Sequence, residues 1–116
     1  YGIGILPYYP LENGFLTGKY KRNNPPPDGT RLAADDRGMF TDRNFDILDK
    51  LTAFAAGRNH SVLELAFAWL LANDAVSSVI AGATKIDQVI ANAQAADWEL
   101  SDEEIIEVNR ILDDVC

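Results

Sequence analysis

Two short apolar runs, Gly2–Pro7 and Val76–Ala81, stand out from the more polar sequence around them. The first is closed by proline and the second is rich in β-branched residues, so both are predicted as buried strands. Longer stretches with the apolar spacing of helices lie between and after them. This alternation predicts an α/β fold whose parallel strands are joined by right-handed crossovers.

Two helices are expected between the strands. Residues 45–57 carry apolar side chains at helical spacing, with Gly57 as the C-cap. Ser61 and Glu64 have the spacing of a capping box, which opens a second helix over residues 62–72. That helix is apolar nearly all round, and such a helix must be covered on more than one side.

Two more helices are expected after the second strand. The turn that begins at Gly82 leads into a helix over residues 85–96, with Thr84 as the N-cap and Asp87 at the third helical position. A second capping-box pattern starts at Ser101 and opens a last, amphipathic helix. The chain contains no internal repeat.

The segment Tyr8–Asp42 is rich in Gly, Pro, Asn and charge. A loop of this length is uncommon in a compact domain unless it is functional, and a mobile surface excursion is the alternative. Two strands neither close a barrel nor make a stable isolated sheet, so both apolar runs are expected to need partners and to be exposed without them. The chain also begins within a strand pattern, at Tyr1 and without an initiator Met, which we interpret as part of a longer protein.

The 116 residues are enough for one domain, and ten basic against eighteen acidic residues give a net charge of −8. Nucleic acid and anionic membrane surfaces are disfavoured as partners, because they bind clustered Lys and Arg. No apolar run approaches the ~20 residues of a membrane span, and no signal peptide is recognised. The single cysteine, Cys116, suits a reducing cytoplasm and is interpreted as a bystander.

Candidate chemistry lies where the chain leaves each strand, because ligands of parallel α/β folds gather at the carboxyl ends of strands. Pro7–Leu11 offers aromatic rings that could stack on a flat ligand or simply cover the core. Gly82–Lys85 offers a glycine, a hydroxyl and a cation at a helix start, which suits a phosphate, although many helix starts have no ligand. His60 is interpreted as a solvated loop residue rather than an acid, base or ligand. No metal site is predicted.

In combination these motifs resemble the aldo-keto reductases, in particular the branch with potassium-channel β-subunits and bacterial reductases. The segments Gly4–Leu11 and Gly14–Tyr20 are similar to that family's seventh barrel strand and the loop after it, and Gly82–Lys85 is similar to its eighth strand and adenosine-phosphate loop. Pro27–Leu32 and Ala66–Leu71 fit as well. The resemblance implies that residues 1–116 are the C-terminal portion of a (β/α)8 TIM barrel, with the last two strands, their helices and no upstream barrel.

The resemblance also implies residues that bind the nicotinamide and pyrophosphate of NADP. Tyr8 matches the aromatic residue that stacks on the nicotinamide ring, and Tyr9, Pro10 and Leu11 match the turn that holds the pyrophosphate. Tyr9 departs from the serine that the family usually has there, which puts a hydroxyl contact in doubt. Glu12 is also a departure, since an acidic side chain near a pyrophosphate is mildly unfavourable.

The remaining implied cofactor residues lie in the long loop and at the adenosine end. Lys19 and Arg31 match basic residues of the loop that folds over the cofactor. The loop around the 2′-phosphate and the positions that hold the adenine end are matched by Gly82, Thr84, Lys85, Gln88 and Asn92. Lys85 and, less directly, Arg31 favour NADP over NAD. Ala91 stands where an acidic residue often precedes the Asn, so one adenine or ribose contact is in doubt.

The family's catalytic Asp, Tyr, Lys and His lie upstream, and none of them aligns to this chain. Tyr1, Tyr20, Asp28 and His60 are not substitutes, because a general acid needs geometry before pKa. The implied activity is NADP-dependent oxidoreduction of a small carbonyl or alcohol by an intact parent, with this portion alone inactive. The alternatives are a nucleotide-binding regulatory module, or a non-catalytic truncated piece that associates with itself or with the missing half of the barrel.

Overall fold

The computed structural model describes residues 2–113, so Tyr1 and Cys116 lie outside the described residues. All four predicted helices are confirmed, with small changes at their ends. In chain order the elements are a 3₁₀ helix Glu12–Thr17 that is kinked at Asn13 and Gly14, α1 (Arg31–Ala34), α2 (Asp42–Ala56), α3 (Val62–Leu71), α4 (Ile86–Ala95) and α5 (Asp102–Asp113). No helix in the described part of the chain is long and apolar enough to cross a membrane.

The prediction of two regular strands, Gly2–Pro7 and Val76–Ala81, is wrong for the described residues. The two runs meet instead at isolated parallel bridges, Ile5 with Val76 and Tyr8 with Ile80. The sequence offset between partners is 71 at the first bridge and 72 at the second, so the ladder is interrupted by a change of register. Two short partners give little support to a regular sheet. The predicted parallel relation of the two runs is confirmed.

Local capping bonds begin α3 and α5 where the sequence places them. Ser61 Oγ accepts from the Glu64 N–H at 3.2 Å, while the Glu64 carboxylate accepts from the Ser61 N–H at 2.6 Å. Ser101 and Glu104 repeat both bonds at the start of α5. Each capping box satisfies two N–H groups that have no partner inside the helix.

The core is formed by α2, α3, α5 and the segment that connects the first apolar run to α2. Three buried residues, Phe15, Tyr20 and Leu32, belong to this connecting segment (residues 8–41). The Tyr20 hydroxyl accepts from the buried Leu32 N–H at 3.2 Å, which fixes one part of the segment against another. The segment therefore contributes side chains to the core.

Arg22 ties the connecting segment to α2. Its guanidinium donates to three carboxylates on successive turns of the helix, at 3.2 Å to Asp42, 2.5 Å to Asp46 and 3.4 Å to Asp49. The hydrogen bond that Arg22 donates to Asp46 and the neighbouring negative charges raise the pKa of Arg22 above its ordinary value. The centroid of the Phe45 ring lies 5.7 Å from the central carbon of the same guanidinium.

His60 is not the solvated loop residue that the sequence suggests. Its ring stacks on Trp98, with the centroids 4.0 Å apart and the planes 8° from parallel. Its Nδ1 lies 3.2 Å from the Glu64 carboxylate. The sequence gives no sign of this contact, because Trp98 approaches from the turn between α4 and α5.

Both apolar runs are exposed, as expected for strands without neighbours. Ile3 is 77% exposed, and Ile5, Leu6 and Ile80 are each more than half exposed. Ile86, Val89 and Ile90 form a second exposed apolar stripe on α4. Large apolar patches of this kind are uncommon on monomeric proteins and mark surfaces that are covered in an assembly or a larger fold.

Glu104 gives the chain a specific response to acid. The Ser101 N–H and the Arg58 guanidinium, which donates at 2.9 Å, lower the pKa of Glu104 below its ordinary 4.5. The folded state therefore favours the carboxylate, and its stabilising contribution is complete above pH 4.5 and lost as the pH falls through the lowered pKa. We expect urea unfolding of E104Q to depend less on pH below 4.5 than unfolding of the wild type.

The matched control is E103Q, which removes the same charge from the exposed neighbouring residue. This variant should keep the wild-type pH dependence. Parallel pH profiles for the wild type and E104Q would contradict the assignment.

Candidate functional site

The two apolar runs lie side by side. Tyr8 pairs with Ile80 in a parallel bridge, and the Ile80 N–H donates to the Pro7 carbonyl at 2.9 Å. Because the two runs are parallel, their C-terminal ends lie at the same edge of the paired runs. The turn of residues 8–11 and the turn of residues 82–85 therefore start close to each other.

Tyr8 presents an exposed aromatic ring at this edge. It is 70% exposed, and its ring centroid lies 5.0 Å from that of Tyr9. Tyr9, Glu12 and Asn13 have φ values of 46 to 58°, a left-handed conformation that non-glycine residues rarely adopt. Such positions cluster at functional sites, where the surrounding structure holds them in place. The Tyr9 carbonyl accepts from the Glu12 N–H at 3.2 Å, which closes the turn around Pro10 and Leu11.

The prediction that Thr84 caps α4 is wrong by one residue. Lys85 occupies the N-cap position, with no side-chain capping bond, and Asp87 falls at the second helical position. The reason lies in Gln88, whose Oε1 accepts from the Thr84 N–H at 2.8 Å and from its hydroxyl at 3.2 Å. Both donors of Thr84 are thus taken within the protein. The start of α4 keeps backbone N–H groups without a side-chain cap, an arrangement that suits an anion.

Asn92 lies one turn after Gln88 on α4 and faces the same turn. Its Nδ2 is 3.4 Å from the Gly82 carbonyl, which links the helix to the preceding turn. A Cβ on Gly82 would meet nothing within 4 Å, so the backbone here is open on the outside. Gly82, Thr84, Lys85 and Gln88 are all exposed.

The two basic residues of the connecting segment are placed differently. The Arg31 guanidinium lies 5.9 Å from the centroid of the Tyr9 ring, so Arg31 joins the turn after the first run. Lys19 instead lies over the 3₁₀ helix, where its Nζ is 5.5 Å from the Tyr20 ring centroid and close to Gly14. Of the two, the structure brings only Arg31 to the predicted pyrophosphate turn.

An apolar groove of about 330 Å³ lies beside the turn of residues 8–11. Tyr8, Tyr9 and Pro10 line one side of it. Glu12 and Leu16 of the 3₁₀ helix also line it, together with apolar side chains from three helices, among them Leu51 of α2, Trp69 of α3 and Val108 of α5. No local sequence pattern indicates this groove, because its walls come from distant segments and only the core patterning of the helices marks them.

The site combines a flat exposed ring, an open glycine backbone, an uncapped helix start with a lysine beside it, and an arginine beside the turn of residues 8–11. Two potential proton donors, Tyr20 and His60, are engaged in contacts within the protein. The Tyr20 hydroxyl is buried against the Leu32 N–H, and His60 is stacked on Trp98.

Comparison with known proteins gives a consistent result. The sequence matches the model of the aldo/keto reductase family over residues 1–113. It is 40% identical to a probable voltage-gated potassium channel subunit beta from Oryza sativa subsp. japonica over 102 residues, which cover 84% of this chain and 31% of that protein. It is 34% identical to L-glyceraldehyde 3-phosphate reductase from Escherichia coli (strain K12) over 99 residues, covering 81% of this chain and 29% of that protein.

A solved structure is similar as well. The glycerol dehydrogenase AKR11B4 from Gluconobacter oxydans superposes with a TM-score of 0.74 at 30% identity, covering 94% of this chain and 34% of the dehydrogenase. The chain thus spans about a third of the length of the relatives that it matches.

Proposed function

We propose, from the premise that this chain belongs to the aldo/keto reductase family, that it carries part of a nicotinamide-dinucleotide site of an oxidoreductase. The protein would reduce a small carbonyl compound or oxidise the corresponding alcohol, with NADP as cofactor. The observation that carries the proposal is the parallel pairing of Tyr8 with Ile80, which starts both predicted binding turns at one edge. The bound dinucleotide would supply the hydride chemistry, and the residues of this chain would hold and orient it.

At the nicotinamide end, the exposed Tyr8 ring is the surface for stacking. The backbone of Tyr9, Pro10 and Leu11 would hold the pyrophosphate, with the Arg31 guanidinium beside Tyr9 adding positive charge. Lys19 would have to leave its place over Tyr20 to reach a phosphate at this turn.

At the adenosine end, the uncapped start of α4 and the Lys85 ammonium would hold the 2′-phosphate. Gln88 uses its Oε1 for Thr84 and keeps its amide N–H donors for the adenine end, next to Asn92. Gly82 leaves the backbone accessible. NADP is proposed over NAD because Lys85 offers a charge-assisted contact that only the 2′-phosphate can use.

The chain is further proposed to be the part of a barrel that runs from the seventh strand to the C-terminal helix. The exposed Ile3, Ile5, Leu6 and Ile80 would then contact the other strands, either from an upstream segment or by self-association. Catalytic residues would lie in those other parts, so we expect this chain alone to bind but not to turn over substrate. A cytoplasmic location is part of the same proposal.

A regulatory role is the second candidate. The probable potassium-channel subunit beta from Oryza sativa subsp. japonica shares 40% identity with this chain, and its name describes a subunit of a channel. In that case the dinucleotide site would serve as a sensor. Binding of NADPH without turnover by the intact protein would favour this second function.

The proposal is tested by titrating NADPH into the chain while following nicotinamide fluorescence and quenching of the two tryptophans. Trp69 lines the groove beside Tyr8, so its emission should respond to a ligand there. We expect saturable binding. Tyr8→Ala should weaken it, because base–aromatic stacking contributes about 1–3 kcal/mol. Absence of saturable binding would contradict a dinucleotide site in this chain.

A further inference from the structure

Tyr9 and Arg31 join two segments that are distant in sequence. The Arg31 guanidinium carbon lies 5.9 Å from the centroid of the Tyr9 ring, within the range of cation–π attraction. Tyr9 lies in the turn after the first apolar run, and Arg31 opens the short helix α1 of the connecting segment. Both side chains are at the surface, so the contact is not a by-product of core packing.

Arg31 differs from Arg22 and Arg58 in its partners. Arg22 is bound to three aspartates and Arg58 to two glutamates. For Arg31, the structure of residues 2–113 records the Tyr9 ring and no acidic partner. A guanidinium carries its N–H donors in its own plane, so attraction to a ring leaves those donors available to an anion.

The Tyr9 ring belongs to a closed turn. The Tyr9 φ of 53° is a left-handed conformation, and the Tyr9 carbonyl accepts from the Glu12 N–H to close the turn. The neighbouring Tyr8 ring lies 5.0 Å from the Tyr9 ring, centroid to centroid. The turn therefore presents an aromatic surface to the Arg31 guanidinium.

We propose that Tyr9 is a positioning residue that holds the Arg31 guanidinium beside the turn of residues 8–11, with its N–H donors available to a phosphate of the dinucleotide. This inference rests on the dinucleotide site proposed above. Tyr9 acts here through its ring and through Arg31. Its hydroxyl is not required.

The test is a double-mutant cycle on the complete chain, with NADPH affinity as the readout. Y9L should weaken binding about two- to fivefold, the loss expected when one exposed cation–π contact is removed. In the R31A background, Y9L should cause no further loss. Y9F should retain the coupling to Arg31, because it keeps the ring. R37A removes an exposed arginine from the same segment and is the control for the loss of one positive charge.

Equal losses from Y9L in the wild-type and R31A backgrounds would overturn the proposal, since Tyr9 would then act only within its own turn. If the wild type binds no NADPH, the proposed function fails and the contact is judged separately by trypsin. The readout is the rate of cleavage after Arg31 divided by the rate of cleavage after Arg37 in the same protein. A higher ratio in Y9L than in Y9F would support the positioning of Arg31 by the Tyr9 ring. Equal relative rates would overturn it.

Discussion

Replacing Tyr20 by alanine is expected to lower the free energy of unfolding by about 3–5 kcal/mol, the usual cost of removing a buried aromatic side chain. Tyr20 is 2% exposed and packs against Phe15 and Phe40, with ring centroids 6.4 and 5.3 Å away. The change also removes the acceptor for the buried Leu32 N–H. Urea unfolding followed by circular dichroism measures the loss.

Two further variants separate the contributions. Y20F keeps the ring and removes only the hydroxyl, so it should cost about 1–3 kcal/mol for the unsatisfied N–H of Leu32. Y8A makes the same change as Y20A at a residue that is 70% exposed, and its effect on stability should stay within about 0.5 kcal/mol. If Y20A were no more destabilising than Y8A, the connecting segment would not be part of the core.

Replacing Lys85 by alanine is expected to weaken NADPH binding by about tenfold to a hundredfold, because a hydrogen bond to a charged group contributes about 1.5–3 kcal/mol. Lys85 is exposed at the N-cap of α4, where backbone N–H groups have no side-chain cap. NADH lacks the 2′-phosphate, so its affinity should change much less. Isothermal titration calorimetry with both dinucleotides gives the two affinities.

The control for this prediction is K50A, which removes an exposed lysine from α2 and should leave both affinities unchanged. Equal losses for NADPH and NADH in K85A would show that Lys85 does not recognise the 2′-phosphate. The choice of NADP over NAD would then have no support from this residue.

Much of the helical structure could be predicted from the sequence, because its signals are local. Ser61 and Ser101 begin α3 and α5 through bonds to residues three positions later, and such bonds need no tertiary context. Thr84 is an exception to these local capping signals. A threonine before a helix usually caps it, but here the Gln88 side chain takes the Thr84 donors and moves the N-cap to Lys85.

Features that depend on distant contacts could not be predicted in the same way. The alternation of apolar runs with helices correctly predicted the parallel pairing of the two runs, but a regular ladder also needs neighbouring strands, and only two bridges form within the described residues. His60 gave no signal of its stacking on Trp98, and the groove next to Tyr8 is built from three helices. The Arg31–Tyr9 contact likewise has no local signal, because the two residues lie 22 positions apart in different segments.

The central claim is that the turns of residues 8–11 and 82–85 form one dinucleotide site. Amide chemical-shift mapping of the ¹⁵N-labelled chain during an NADPH titration tests it most directly. We predict saturable shifts that share one dissociation constant in both turns and at Gln88 and Asn92, with little change in α5. Shifts confined to one turn, or saturable shifts that avoid both, would contradict the claim.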